Sequence, residues 1–344
     1  MKIKRHSAFR WLLLAVISGA AACHSPSAPD VSHIPMEVKI RRFDRDFLAI
    51  DTNRVAEGLA GLQQRYPLFL PIYLENILNY GPYPDTSGRL TQNVRGLLTA
   101  ADIRALQDTV NAHFSDLHAL QHQLESGFRY IRYYFPRFRA PEVITFISGL
   151  NNYGAITADS LLGIGLDMFL GKDFRPYTQL ADPYPAYMLT QFEPVFIAAD
   201  CFKVIGQQMF PPAGDRATLL DRMISAGKLL YFLEKVMPGD PATVRTGYSA
   251  QQLDWCRKNE QQLWQFFVQH DLLYRRDFQT SSRYMDPGPG PQDMPTGAPG
   301  GVGAWVGWQI VRRYMALHPD MALSQLMQMN DAAKLLGGAK YRPR

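Results

Sequence analysis

The chain has 344 residues, 47% of them hydrophobic and 12% aromatic, which excludes a disordered chain and suffices for one large domain or two ordinary ones. Its formal charge of +5 falls to +1 once Lys2, Lys4, Arg5 and Arg10 of the acid-free first 22 residues are set aside. So small a balance excludes an electrostatic nucleic-acid surface.

The basic stretch "MKIKRHSAFR" precedes an apolar run, "WLLLAVISGAAA", that stops at Cys23. The run is shorter than the roughly 20 apolar residues of a spanning helix and has the layout of an export signal over residues 1–22. "AAAC" resembles a bacterial lipobox, departing from its commonest form at Ala20, and makes Cys23 the expected lipidation site. Ordinary cleavage after an alanine is the alternative. Residues 23–35, rich in Ser and Pro, are expected to form a lipidated tether. They lack the acidic run that resembles a surface-export signal of Bacteroidetes lipoproteins, which points to a periplasm-facing anchor in the bacterial cell envelope.

The remainder, 36–344, is expected to be a single domain, with an N-terminal strand and helices over 36–135 and further strands and helices over 140–344. "MEVKIRRF", 36–43, alternates as a strand does. Helical patterning follows from Asp51 to Phe135, broken by the turn residues of "YGPYPDTSG". The longest helix is expected over Asp102 to Glu125, with Leu106, Val110, Leu117, Leu120 and Leu124 on its buried face. "HALQH" lies within it. Two histidines four apart share a helix face, as in the zinc-binding H-E-x-x-H motif, but Ala119 stands where that motif has its glutamate. Both rings fall at or beyond the edge of the apolar stripe, which predicts two exposed histidines without a ligand role.

From Pro141 the pattern changes. "EVITFISG", "YGAITA" and "LLGIGLDMFLG" are short β-rich runs separated by turn residues and predict an antiparallel meander over 142–170. Helices follow over 195–210, 218–236, with Asp215 or Thr218 as N-cap, and 248–276, opened by a Ser249/Gln252 capping box. "DPGPGPQDMPTGAPGG", 286–301, reads as a solvated connector, a lid being the alternative. Gly303 and Gly307 then share a face of the next helix, a pattern of close helix packing. "SAGK", 225–228, matches the S-x-x-K of penicillin-binding proteins, yet Ser225 falls inside a helix and no S-D-N element exists. Cys201 and Cys256 can be either a disulfide or two buried thiols.

Several segments carry a family resemblance in order and spacing. "FRYIRYYFPRFRAPEVITFISGLNNYGAITADSLLGIGLDMFLGKDFRPY", "LLDRMISAGKLLYFLEKVMPGD", "YSAQQLDWCRKNEQQLWQFF" and "GGVGAWVGWQIVRRYM" resemble the gliding-motility lipoprotein GldB family of Bacteroidetes. The lipobox and "VKIRRFDRDF" extend the match toward the N-terminus. The resemblance implies an envelope lipoprotein supporting gliding and the linked type IX secretion machinery, with other envelope proteins as partners.

This family is itself similar to a wider set of zincin-like proteins that carry an H-E-x-x-H helix after the strands and a Glu-Gly pair on the next helix. Here the first position is "PVFIAADCFKVIGQQ", without a histidine, and the second is Ala226-Gly227. The expectation is therefore a degenerate zincin-like α+β fold, mostly helical with a small antiparallel sheet, that is not an enzyme and has no catalytic residues, metal or cofactor. The alternative is a zinc metallopeptidase-like hydrolase with unrecognised ligands. Asp200 and Lys203, the odd polar residues of the apolar helix, are joined with Ala226 and Gly227 as a candidate groove remnant, an ion pair or polar network being the simpler account of the charges.

Overall fold

The computed structural model describes residues 28–343, and from Val31 onward they form one compact unit. It is mostly helical, with one four-stranded sheet, β1 (Ile40–Arg42), β2 (Glu142–Phe146), β3 (Ala155–Ala158) and β4 (Leu161–Gly165), in the order β1-β2-β4-β3. The expected α+β class holds, but the sheet is mixed and not an antiparallel meander. β1 and β4 both run parallel to β2, and only the β3–β4 hairpin is antiparallel.

The reason is visible in β2. Val143 faces one apolar cluster and Ile144 and Phe146 the other, so the strand is buried on both faces, as parallel strands with helical crossovers are. That crossover is the helical segment α1 (Phe43–Leu48), α2 (Val55–Arg65), α3 (Phe69–Ile72), α4 (Arg89–Thr99), α5 (Ala101–His113) and α6 (His118–Tyr134). It covers one face with an aromatic cluster in which Phe43 meets Phe69 and Tyr73 edge-on at 4.9 and 4.8 Å. Edge-to-face geometry suits the ring quadrupoles.

The helix expected over Asp102–Glu125 is two helices. Asp116 accepts a 2.7 Å hydrogen bond from the backbone N–H of His118, and this local Asx turn competes with helix continuation. The end of the expected tether is also packed: Val31 is buried, Arg129 donates to the carbonyls of Ile34 and Met36 at 3.2 Å each, and Arg132 donates to that of Pro35 at 3.0 Å. Glu125 accepts from the Val38 N–H at 3.1 Å, so the chain is clamped to α6 before it enters β1.

The other face of the sheet packs on α9 (Ile197–Met209), preceded by the short helices α7 (Pro176–Gln179) and α8 (Ala186–Leu189). Phe202 on α9 lies edge-on to Phe128 at 5.7 Å, and its ring covers Gly127 so closely that a Cβ there would lie 2.0 Å from it. The expected Thr218 cap of α10 (Leu219–Val236) is present as a capping box with Asp221. Across α10 lies α15 (Val302–Leu317). A Cβ on Gly307 would fall 1.8 Å from the Met223 carbonyl oxygen, and one on Gly227 would fall 2.2 Å from the Gly307 carbonyl carbon. The two backbones touch there, as the glycine spacing predicts.

The helix expected over 248–276 keeps its Ser249/Gln252 box but is divided at Asn259 into α12 (Ala250–Lys258) and α13 (Glu260–Gln269), after α11 (Ala242–Thr246) and before α14 (Phe278–Met285). α16 (Leu323–Gln328) and α17 (Ala332–Ala339) close the chain. Residues 286–301 are not a solvated connector. Met294 and Ala298 are buried, while Tyr248 and Trp255 donate to the carbonyls of Gly300 and Thr296 at 2.9 and 3.1 Å. The segment is a strap pinned by aromatic residues of α12 and its approach. Cys201 and Cys256 are separate buried thiols.

Candidate functional site

The Asp200 face of α9 opens onto a cleft of about 370 Å³. Asp200, Lys203, Val204 and Gln207 follow the i, i+3, i+4, i+7 spacing of one helix stripe, and all four line it. Its apolar wall is Met168 and Phe169 after β4, with Met188 and Phe192 from α8 and its exit. Asn152, Gln191 and Pro287 complete the rim. Apolar walls with a few convergent polar groups are the usual composition of a ligand cleft. The cleft runs past Tyr187, Gln191 and Pro287 into a second depression of about 580 Å³.

The ion pair expected between Asp200 and Lys203 is not formed. Lys203 is exposed and Asp200 half-buried, and the Asp200 carboxylate accepts no hydrogen bond from the described residues. Burial pushes its pKa above the ordinary aspartate value, and the Lys203 charge pulls it back only in part. The site therefore holds a carboxylate without a protein hydrogen bond and with only partial charge compensation from Lys203. The other two candidates, Ala226 and Gly227, do not line this cleft. Gly227 is the contact between α10 and α15, a packing role that Gly303 and Gly307 already signalled in the sequence. Asn152, Gln191 and Pro287 carried no such signal, because they reach the cleft from loops.

A second charged site lies on α10. Ser225 and Lys228 border a cleft of about 710 Å³, but the buried Lys228 ammonium donates to the carbonyls of Met327 and Met329 at 3.1 and 2.8 Å. These are the last-turn and capping carbonyls of α16, and a lysine there satisfies groups the helix leaves open. Burial lowers the Lys228 pKa. Of the S-x-x-K pair, Lys228 alone serves, as a helix cap.

The paired histidines open α6. Their side chains are 82% and 75% exposed, His118 lying 3.7 Å from Asp116 and His122 3.5 Å from Glu125. Among the described residues no group of three or more His, Cys, Asp or Glu side chains is placed to hold a metal ion. Cys23 and the export signal lie outside the described residues.

The family described as gliding motility protein GldB matches residues 24–343. The chain belongs to the GldB family. Membership makes it a gliding-motility lipoprotein associated with the cell envelope. No curated protein and no solved structure matches this GldB family member. Among its described residues no helix is long and apolar enough to cross a membrane.

Proposed function

We propose that this GldB family member is held at the periplasmic face of a membrane by lipid on Cys23, and that it supports gliding and type IX secretion machinery through protein contacts and not catalysis. The observation that carries the reading is the Asp200 cleft. It has the size and apolar wall of a binding site, yet its titratable groups are the Asp200 carboxylate, the exposed Lys203 ammonium and the Tyr187 phenol, without the paired nucleophile, base and orienting partner of a catalytic constellation. Three experiments test it. Wild-type protein should incorporate radiolabelled fatty acid and Cys23→Ser should not; wild-type protein recovered soluble and unlabelled would end the lipoprotein part. Dialysed protein should hold no stoichiometric zinc. One zinc per chain that His118→Ala removes would replace this reading with that of a metallopeptidase-like hydrolase. Cross-linking in native membranes should recover envelope proteins of the gliding or secretion machinery.

A further inference from the structure

β3 is an edge strand, and its ladder decides which of its backbone groups are free. Gly165 donates its N–H to the Gly154 carbonyl at 2.9 Å, and Gly165 lies opposite Gly154 in the β3–β4 register. In an antiparallel ladder hydrogen-bonded and open pairs alternate. The pairs Gly154–Gly165, Ile156–Gly163 and Ala158–Leu161 are therefore the bonded ones, and the N–H and C=O groups of Ala155 and Thr157 point away from β4. These outward groups have no hydrogen-bond partner among the described residues. Ala155 also lines the Asp200 cleft.

An open strand edge beside a cleft is the template to which an extended chain adds by backbone hydrogen bonds, while neighbouring pockets select its side chains. The side-chain preference here follows from charge. Lys203 is exposed and keeps its water, whereas the half-buried Asp200 faces the cleft without a hydrogen bond from the protein. A carboxylate so placed gains most from an incoming cation. The walls of Met168, Phe169, Met188 and Phe192 suit the aliphatic stem that carries such a charge.

We propose that the β3 edge and the Asp200 cleft together bind an extended polypeptide segment of a partner protein, pairing its backbone with Ala155 and Thr157 and a basic side chain with Asp200. This rests on the reading of the chain as an interaction protein and names the chemistry of what it holds.

The test uses purified full-length chain and two capped peptides that alternate threonine and valine around a central arginine or a central glutamate. The arginine peptide should bind about tenfold more tightly, the scale of one charge-assisted hydrogen bond. Asp200→Asn should reduce that ratio to about one. Thr157→Pro, which removes an outward N–H and leaves the β4 ladder intact, should weaken both peptides, and Thr157→Ala should weaken neither. Hydrogen exchange of the wild type supplies a readout independent of whether the proline variant folds: bound peptide should slow the amides of Ala155 and Thr157. Equal binding of the two peptides, or unchanged exchange at both amides, overturns the proposal. If those results came with normal lipidation and cross-linking to envelope partners, this inference would fall while the function proposed above would stand.

Discussion

The Asp200 and Lys228 clefts each expose one partly or fully buried charge from a long helix, and they differ in what the protein does with it. Lys228 is answered by two carbonyls at the end of α16, so its charge is part of the structure. Asp200 is answered by nothing closer than the field of an exposed lysine. Burying a polar group without a partner is unfavourable, and the half-buried Asp200 carboxylate keeps solvent contact where Lys228 has carbonyl partners. The comparison teaches that two charges set on apolar helices can differ chiefly in whether the protein itself hydrogen-bonds them.

The largest expected effect attacks the frame of the Lys228 cleft. Gly307→Ala forces a Cβ against the Met223 carbonyl and should lower stability by about 3 kcal/mol, read as the shift of the urea unfolding midpoint. An unchanged midpoint would show that α10 and α15 have room to separate. Lys228→Met removes both bonds to α16 and should remove about 1–3 kcal/mol; a neutral outcome would erase the difference between the clefts.

Asp200→Asn should act in the opposite direction, adding about 0.5–1 kcal/mol at neutral pH. Its sign follows from linkage. An acid with a raised folded-state pKa supports the fold below its ordinary value, here 3.8, and that support is lost as pH rises through the raised value. The advantage of the asparagine should thus be full at pH 7 and absent near about pH 3, and equal gains at both would show that charge is not the cause. Smallest of all, Ser225→Ala should stay within about 0.5 kcal/mol of wild type, since no hydrogen bond joins Ser225 to Lys228. A larger loss would make the serine part of the lysine's network.

Local chemistry was legible in the sequence and non-local pairing was not. The caps Thr218 and Ser249 and the exposure of His118 and His122 follow from residues within a turn or two. The order of the sheet does not, because β1 reaches β2 only after the crossover of α1 to α6. One sign of it was present: the nearly continuous apolar run of β2 marks a strand covered on both faces. The strap over 286–301 was misread because Tyr248 and Trp255, which hold it, lie far from it in sequence. Asp200 was visible as an odd charge on an apolar helix, but that it lacks a hydrogen bond is a property of its neighbours. Ala226 and Gly227 were joined to it by family analogy alone, and the geometry assigns Gly227 to the helix crossing.

The clamp of residues 31–38 on α6 has a mechanical consequence. A pull applied at the N-terminal end of the chain meets Arg129, Arg132 and Glu125 before it reaches β1. These contacts end on a helix that packs against α9 and α10, so such a pull passes first to the helical side of the molecule. Opening the clamp frees residues 31–38, whose fully extended contour is about 26 Å at about 3.3 Å per residue.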